Sequence, residues 1–291
     1  MSEQQSFMER HHFLLRRLHS LSGIVPIGTF LIVHLTTNAS IMWGMANHRA
    51  AEYAADPVGR GVATFQHEVN FINNLPFVFL IELFGLWLPI AFHAVLGVMY
   101  AVTGSRNTRA YAYGGNKRYM LQRLSGYVGV LFIFYHVATL RWGWTFLVPG
   151  GTEWSSQFAA STLAMALRGH ADHFSITGLF VSLLYFFGVS LLVYHFANGL
   201  WTAAITWGLT VSRAAQQRWG YVCATVGVLL MAAAWSALGG FMFAVNVQKA
   251  ETVEGVLYQE HHGEMAPDEN APGEPDLIEP QAALSTNRTD G

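Results

Sequence analysis

The sequence has little of what soluble, disulfide-bonded or nucleotide-binding proteins need. Only 12% of its 291 residues are charged, Cys223 is its one cysteine, and it contains no G-x-G-x-x-G segment. A soluble domain usually carries about 25% charged residues. A lone cysteine excludes an intrachain disulfide and a cysteine-ligated iron–sulfur cluster, and the absence of C-x-x-C-H excludes covalently attached c-type haem. The missing glycine motif argues against a Rossmann-bound flavin or nicotinamide.

Charged residues are absent from five long stretches of the chain. These stretches are 18–48, 83–105, 124–140, 173–212 and 219–248. A helix needs about 20 apolar residues to cross a bilayer. The pattern therefore predicts an all-α, multi-pass membrane protein, a bundle of five spanning helices at about 20–43, 77–102, 124–144, 177–202 and 220–243. Glu82 is the one carboxylate inside a predicted span.

The placement of lysine and arginine predicts the orientation of the bundle. With the N-terminus in the cytoplasm, the inner segments hold ten of these residues and the outer segments hold six. Cytoplasmic segments of membrane proteins carry the excess of positive charge. We therefore expect a protein of the cytoplasmic (inner) membrane with its N-terminus inside and its C-terminus outside. Its expected surroundings are lipid, and nothing in the sequence points to nucleic acid.

The end of the chain has a different composition from the rest. Residues 246–291 hold ten of the eighteen acidic residues and four prolines. A segment of low hydrophobicity and like charge cannot offset the entropy lost on ordering. The sequence therefore predicts a membrane domain over 1–245, followed by a disordered acidic tail over 246–291.

Each of the first four predicted helices contains one deep histidine: His34, His93, His136 and His195. At about 1.5 Å of rise per residue, His34 and His136 lie roughly 20 and 18 Å from the inner face. His93 and His195 lie roughly 25 and 28 Å from the outer face, which in a core about 30 Å thick is close to the inner face. The histidines therefore pair by depth, 34 with 136 and 93 with 195.

Two histidine pairs at two depths favour two stacked b-type haems enclosed by the bundle. Each such iron takes two axial imidazoles from facing helices. A zinc site would need the four imidazoles at one depth. Two other interpretations stay open at this point: histidines bonded to neighbouring carbonyls, and a proton path in a haem-free transporter or channel.

A weak internal repeat accompanies the histidines. The segment RLHSLSG (17–23) opens the first predicted helix, and RLSG (123–126) opens the third. The second and fourth helices each carry a His-x-x-x-Gly segment, at 93–97 and 195–199. We expect these glycines to leave space for a porphyrin ring, although glycine also serves close helix packing in membranes.

Four stretches carry a resemblance to a known family. They are RRLHSLSGIVPIGTFLIVHL (16–35), LPFVFLIELFGLWLPIAFHAVLGVMYA (75–101), LQRLSGYVGVLFIFYHVATLR (121–141) and HFANGLWTAAITWGLTV (195–211). The chain resembles the five-helix, dihaem cytochrome b subunit (b558 type) of succinate dehydrogenases and fumarate reductases, closest to the succinate:menaquinone type. The last stretch is the most specific, whereas the fifth helix is generic and the acidic tail lies outside the resemblance.

The resemblance implies a place in an electron-transfer chain. It implies that His93 and His195 hold a proximal haem and that His34 and His136 hold a distal haem, the pairing that depth also gives. It further implies a flavoprotein that oxidises succinate and an iron–sulfur subunit, both on the cytoplasmic side. Electrons would pass through the two haems to a membrane quinone, with menaquinone the expected acceptor. The chain would anchor this complex and reduce quinone without oxidising succinate itself.

Further residues are candidates for contacts with haem propionates, which are anionic and attract cations or donors. Arg141 follows His136 by five residues and is assigned to the distal haem. Arg17, His19, Ser22 and Arg123 cluster at the inner ends of the first and third helices and are assigned to the proximal haem. Each could instead be an interfacial charge.

Glu82 is a candidate for proton transfer at a quinone site, because an ionisable residue inside a membrane is usually functional. It lies about 16 Å outward of His93, near the level of the distal pair. The alternative role is a carboxylate bonded to a neighbouring helix. Some fumarate reductases of the family have glutamate two residues before the fourth ligand, where this chain has Val193. That departure favours succinate oxidation and leaves the direction of the reaction open.

Two alternative functions remain for a bundle of this kind. A dihaem cytochrome b of a hydrogenase or formate dehydrogenase shares the architecture but not the HFANGLW stretch (195–201). A haem-free transporter or proton channel would use the same histidines and would show no b-type absorption band.

Overall fold

The computed structural model of the chain describes residues 7–103 and 114–262, which form α-helices joined by turns and by longer connections with 3₁₀-helical segments at Gly44–Ala46, His48–Glu52, Thr145–Leu147 and Pro149–Gly151. Within those ranges the α-helices are α1 (Phe7–Ile24), α2 (Pro26–Trp43), α3 (Pro57–Asn73), α4 (Val78–Glu82), α5 (Leu88–Thr103), α6 (Gly114–Leu140), α7 (Ala159–Arg168), α8 (Ile176–Thr206), α9 (Arg213–Gly239) and α10 (Val247–His262). Two π-helical turns, Leu83–Trp87 and Gly240–Ala244, continue α4 and α9. Part of the predicted inner loop and residues 263–291 lie outside the described residues.

Five helical stretches of the described chain are long and apolar enough to cross a membrane. They are Arg10–Ala46, Val78–Thr103, Lys117–Leu140, Ile176–Thr206 and Arg213–Ala244. The predicted all-α membrane protein with five spans is confirmed. Large apolar side chains such as Phe79, Leu131 and Phe180 are exposed, as expected of a lipid-facing surface, because lipid tails are as apolar as leucine.

In the first and second spans a break in regular α-helix lies near candidate site residues. Pro26 has no backbone N–H, so the bond to the carbonyl four residues earlier is lost and the first span divides at Val25 into α1 and α2. In the second span the π-helical turn Leu83–Trp87 follows Glu82 directly. Turns of this kind are uncommon and occur frequently at functional sites.

Helix α8 lies at the centre of the bundle. It packs against α6, α9 and α1, while α1 also packs against α5 and α2 against α9. A small apolar cluster joins α2, α8 and α9 through Leu35, Val193 and Leu230. Val193, two residues before His195, is fully buried in that cluster. The arrangement brings the helices that carry the four deep histidines around one interior.

Helices α3, α7 and α10 pack together at one end of the bundle, and we call them the cap. Helix α3 begins with Asp56, whose carboxylate accepts a hydrogen bond from the Gly59 amide (3.0 Å). It lies so close to the end of α2 that a Cβ on Gly61 would come within 2.2 Å of the Ile41 carbonyl oxygen. The ends of α2 and α6 that follow His34 and His136 therefore lie at the cap end of the bundle.

The prediction that a disordered tail starts at residue 246 is wrong for residues 247–262, which form α10. Val247, Ala250, Val253 and Leu257 are buried against α3 and α7. These residues recur at intervals of three or four and so form one apolar face of a helix. Composition misled the prediction because the acidic residues between them are mostly on the opposite, exposed face.

One acidic residue of α10 is buried rather than exposed. Glu254 has no solvent-accessible surface and accepts hydrogen bonds from the Ala160 and Ser161 amides (2.6 and 3.3 Å) and from the Ser161 hydroxyl (2.5 Å). It therefore satisfies free N–H groups at the start of α7, where a helix favours negative charge. Burial raises the pKa of Glu254 from 4.5 to about 7, although the hydrogen bonds from Ser161 and Ala160 oppose this shift.

A chain that ends at residue 248 should be less stable than one that ends at residue 262. It loses nearly all of α10, and burying a side chain such as Val253 or Leu257 stabilises by about 1.5–3 kcal/mol. We expect a lower melting temperature in detergent and faster proteolysis around α7. The chain ending at 262 is the matched control, and equal behaviour of the two would show that α10 does not hold the cap together.

The stability of the cap should decrease as the pH rises from about 4.5 to about 7. The folded state binds the Glu254 proton more tightly than the unfolded chain does. The contribution of this proton to the free energy of unfolding is therefore complete below pH 4.5 and is lost as the pH rises past 7. The shift corresponds to roughly 3 kcal/mol. Glu254→Gln cannot titrate and should lose this part of the pH dependence. Melting temperatures measured between pH 5 and 8 test it, and identical profiles for both proteins would refute it.

Candidate functional site

The four deep histidines form two neighbouring pairs inside the bundle. The ring centroids of His93 and His195 are 6.1 Å apart, and those of His34 and His136 are 5.8 Å apart. The rings of each pair are nearly perpendicular, at 85° and 82°. The pairs are those that helix depth predicts. His34 and His136 lie toward the cap, and His93 and His195 lie toward the opposite end.

The spacing within each pair fits two imidazoles that face one metal ion from opposite sides. A first-row metal lies about 2 Å from an imidazole nitrogen, which places the two ring centroids about 6 Å apart. Perpendicular rings are compatible with this arrangement because each ring plane needs to contain only its own nitrogen–metal axis. No cluster of three or more histidine, cysteine or acidic side chains suited to a metal ion occurs in the described parts of the chain. The pairs thus fit a group that supplies its other metal ligands itself, as a porphyrin does.

Hydrogen bonds fix which ring nitrogen is available in His93 and His195. The His93 Nδ1 atom lies 2.9 Å from the His19 carbonyl oxygen, and the His195 Nδ1 atom lies 3.1 Å from the Gln122 carbonyl oxygen. A carbonyl can only accept, so Nδ1 carries the proton in both rings. The lone pair of each neutral imidazole is therefore on Nε2, as required for binding a metal.

The internal repeat builds the same support for both of these histidines. In each copy, a serine three residues after the carbonyl also donates to it: Ser22 to the His19 carbonyl (2.9 Å) and Ser125 to the Gln122 carbonyl (3.1 Å). The serine oxygens also lie 3.4 and 3.2 Å from Nδ1 of His93 and His195. Each copy of the repeat thus binds an imidazole from a neighbouring helix: the copy on α1 binds His93 of α5, and the copy on α6 binds His195 of α8.

The glycine that ends each copy of the repeat makes this approach possible. A Cβ on Gly23 would come within 2.5 Å of the His93 ring, and a Cβ on Gly126 would come within 3.0 Å of the His195 ring. The His-x-x-x-Gly segments serve a related purpose, because a Cβ on Gly97 would be 3.2 Å from His19 Nε2. These last glycines face the side chains of the repeat, a contact that the sequence analysis did not anticipate.

The second pair has aromatic surroundings. The His136 Nδ1 atom lies 3.3 Å from the buried Tyr185 hydroxyl, and Phe132 stacks on the His136 ring with a centroid distance of 6.0 Å. Phe30 stacks on His34 at 5.2 Å. The imidazoles at this level are therefore enclosed mainly by apolar surface, which suits a buried porphyrin.

One of the predicted propionate contacts, His19, lies beside the His93 ring. His19 stacks on His93 with a centroid distance of 4.1 Å, and its buried Nε2 atom has no hydrogen-bond partner among the described residues. Arg17 likewise has a buried Nε atom without a partner in the part of the chain that the structure describes. Unsatisfied polar atoms are rare in protein interiors, and these two fit an anionic group of a bound cofactor. Arg123 is held against the Tyr119 ring (5.5 Å).

Glu82 and Arg141, which the sequence analysis assigned to separate roles, contact each other. The Arg141 Nη2 atom donates to the Glu82 Oε2 atom at 2.9 Å. The pair is partly exposed, with 60% of the arginine and 28% of the glutamate side chain accessible. Trp142, next to Arg141, stacks on Trp87 at the end of the π-helical turn (6.2 Å, 16°). The two residues therefore belong to one polar site at the cap end, framed by aromatic side chains.

Several site residues had no assigned role in the sequence analysis. Ser125, Gln122 and Asn198 lie around the pair away from the cap, and Tyr185 contacts the other pair. Ser125 was visible as the serine of the repeated Leu-Ser-Gly, whose other copy holds Ser22. Asn198 lies in the specific HFANGLW stretch, but its partners come from another helix and spacing along the chain could not identify them.

Comparison with known proteins agrees with this geometry. No protein-family profile and no solved structure matches the chain. A curated relative is 33% identical over 231 residues, which cover 79% of this chain and 97% of that protein. It is the succinate dehydrogenase cytochrome b558 subunit of Bacillus subtilis (strain 168). With that identity over nearly the whole relative, the chain belongs to the family of succinate dehydrogenase cytochrome b558 subunits.

Proposed function

We propose that this chain is the membrane-anchoring cytochrome b subunit of a succinate dehydrogenase and that it carries electrons through two b-type haems to menaquinone. The observation that carries the proposal is the presence of two histidine pairs, 6.1 and 5.8 Å between ring centroids, in the interior of the bundle. Family membership supports haem b and the succinate dehydrogenase partners. It also disfavours the hydrogenase, formate dehydrogenase and transporter alternatives.

In this proposal His93 and His195 hold the proximal haem, and His34 and His136 hold the distal haem. The bound haems supply one-electron oxidation and reduction. The chain's own residues keep the imidazoles neutral and oriented, because the carbonyls of His19 and Gln122 accept the Nδ1 protons. His19 and Arg17 would bind propionates of the proximal haem through their unpartnered nitrogen atoms.

The partners must supply the electrons, since this chain has neither a dinucleotide-binding motif nor a cysteine cluster. We place the flavoprotein and iron–sulfur subunits at the end of the bundle opposite the cap. Arg17, Arg118 and Arg123 lie at that end, and arginine and lysine mark the cytoplasmic side of a membrane protein. The N-terminus is then cytoplasmic, and the cap faces outward.

Quinone reduction is assigned to the cap end, beside the distal haem. Glu82 and Arg141 form a partly exposed ion pair there, next to a π-helical turn and two stacked tryptophans. A carboxylate at this level can accept and donate protons, and its arginine partner holds it in place. Electrons that enter from the cytoplasm would then cross most of the membrane before they reach the quinone.

Replacing either member of a histidine pair should remove one haem and leave the other. His195→Ala and His93→Ala should lose the proximal haem, whereas His34→Ala and His136→Ala should lose the distal haem, because each iron would keep only one axial imidazole. The measurement is a reduced-minus-oxidised spectrum with the haem-to-protein ratio of the purified complex.

His67, a cap histidine whose ring packs against Tyr53 (5.2 Å), is the matched control, and His67→Ala should retain both haems. A His195 or His34 variant with two haems and an unchanged spectrum would refute the assigned pairing. A wild-type complex without a b-type absorption band would refute the haem proposal as a whole.

Glu82→Gln should slow succinate:quinone turnover while both haems remain reducible by succinate. The amide keeps the shape of the side chain and can still bond to Arg141, but it cannot carry a proton. Turnover is measured in sealed vesicles with and without an uncoupler, because moving one charge across the membrane is worth about 2.3 kcal/mol per 100 mV. An uncoupler should slow the wild type, since an inside-negative potential assists outward electron transfer.

Two results would contradict this part of the proposal separately. A fully active Glu82→Gln variant would remove Glu82 from the mechanism without affecting the haem assignment. A wild type insensitive to the uncoupler would argue against quinone reduction at the cap end. Trp87→Leu, which removes one of the stacked rings but no titratable group, is the control for general disturbance of the site.

A further inference from the structure

We propose that Gln122, Asn198 and Arg118 form a positioning relay that fixes His195 and thereby sets the reduction potential of the haem that His195 would hold. The proposal rests on the proposed ligation by His195. It concerns three side chains that connect a buried imidazole to the surface of the bundle at the end opposite the cap. None of the three needs to touch the iron for the relay to act.

Gln122 holds His195 at two points. Its backbone carbonyl accepts the Nδ1 proton of the imidazole (3.1 Å), and its side-chain amide donates to the backbone carbonyl of His195 (3.0 Å). The first bond orients the ring, and the second fixes the position of helix α8 relative to α6 at the same residue. The distance between the ring and its acceptor carbonyl therefore depends on the Gln122 side chain.

Asn198 fixes the Gln122 side chain in turn. Its Nδ2 atom donates to Gln122 Oε1 (2.7 Å), and its Oδ1 atom accepts from the Nε and Nη2 atoms of Arg118 (3.1 and 2.8 Å). An arginine can only donate, so it directs the Asn198 oxygen toward itself and the Asn198 nitrogen toward Gln122. Gln122 must then present its oxygen to Asn198 and its nitrogen to His195. One cation thus determines the orientation of both amides.

The outer end of the relay is itself anchored. The Arg118 guanidinium lies 4.0 Å from the centre of the Trp201 ring, and the Trp201 Nε1 atom donates to the Gln216 carbonyl (3.0 Å) on helix α9. Asn198 is buried, with 5% of its surface accessible, so its bonds do not compete freely with water. Arg118 itself is exposed, but its contact with the Trp201 ring and its two bonds to the buried Asn198 oxygen hold the outer end of the relay in place.

In the part of the chain that the structure describes, the other half of the internal repeat has no such relay. His19 corresponds to Gln122 and Leu96 corresponds to Asn198, since each pair has the same spacing from the Ser-Gly or His-x-x-x-Gly segment. His93 keeps the carbonyl and serine contacts, but leucine cannot donate to His19, whose Nε2 atom has no partner among the described residues. The repeat therefore allows a comparison within the chain. Both histidine rings have the same carbonyl and serine contacts, but only the residue that supports His195, Gln122, has its side chain fixed by a partner.

A fixed relay should lower the reduction potential of the haem. A hydrogen bond from Nδ1 to a carbonyl makes the imidazole a stronger electron donor, which favours the oxidised iron. If the Gln122 side chain loses its partner, the two helices can separate slightly and this bond weakens. The oxidised form then loses stabilisation, and the potential rises.

Asn198→Leu tests the relay with the residue that the other half of the repeat has at this position. We expect the reduction equilibrium constant of the proximal haem to rise about tenfold, which is about 59 mV for one electron. The distal haem should keep its potential. The measurement is a spectroscopic redox titration of the whole complex in membranes, with the electron paramagnetic resonance signal of each haem recorded in parallel. Gln122→Leu keeps the backbone carbonyl and should shift the same haem in the same direction.

Asn38→Leu is the matched control. Asn38 also donates to the carbonyl of a candidate ligand, His34 (2.8 Å), but within one helix, so its replacement should leave the proximal haem unchanged. A raised potential of the proximal haem alone would support the relay, and if Asn198→Leu loses that haem the shift is measured in Gln122→Leu instead. Unchanged potentials and signals in Asn198→Leu and Gln122→Leu, or equal loss of both haems, would overturn it. Two haems retained in a His195 variant would instead refute the ligation on which the relay rests.

Discussion

The His93–His195 pair depends on one interaction, the hydrogen bond from each histidine Nδ1 to a backbone carbonyl of the neighbouring helix. An imidazole in a bilayer must place its N–H on an acceptor, because hydrocarbon offers none. The carbonyls of His19 and Gln122 provide it, and the glycines at 23 and 126 leave room for the ring to reach them. That bond leaves Nε2 free, orients the ring and ties α1 to α5 and α6 to α8. Cofactor binding and helix packing are therefore satisfied by the same contacts.

The fold and the histidine pairs could be predicted from the sequence because both follow from fixed lengths. A bilayer sets how long an uncharged run must be, and the helical rise converts residue number into depth. Depth cannot say which side chains at one level are lateral neighbours. The contact between Glu82 and Arg141 spans 59 positions of the chain and was missed for that reason, as was Asn198 with Gln122. Helix α10 was missed because composition was weighed over a whole segment, while burial depends on one face.

The cap makes a polar contact that composition alone would not suggest. Glu254 is buried because the N–H groups at the start of α7 need an acceptor. The Gln66 side-chain oxygen likewise accepts a hydrogen bond from the Ala159 amide (3.0 Å). Three separate segments are thereby joined over the ends of α2 and α6. The cap thereby covers the residues beside the second histidine pair, such as Tyr185. Glu82 and Arg141 lie at the edge of the same end of the bundle. The Glu82–Arg141 pair at that edge is partly exposed, with 60% of the arginine and 28% of the glutamate side chain accessible.

The two halves of the internal repeat support their histidines in the same way but differ in the polar network beyond them. Both copies keep the carbonyl, the serine and the glycine, so both can present a neutral imidazole with Nε2 free. They differ at the residue three positions after the histidine, Leu96 in one copy and Asn198 in the other. Apolar leucine ends the polar network at His93, whereas asparagine extends it from His195 through Arg118 to the surface. Two ligands of one proposed haem are thus held with unequal rigidity. The more rigid one connects to the face where electrons would enter, so a partner that contacts Arg118 would act on a ligand of the haem that would receive those electrons.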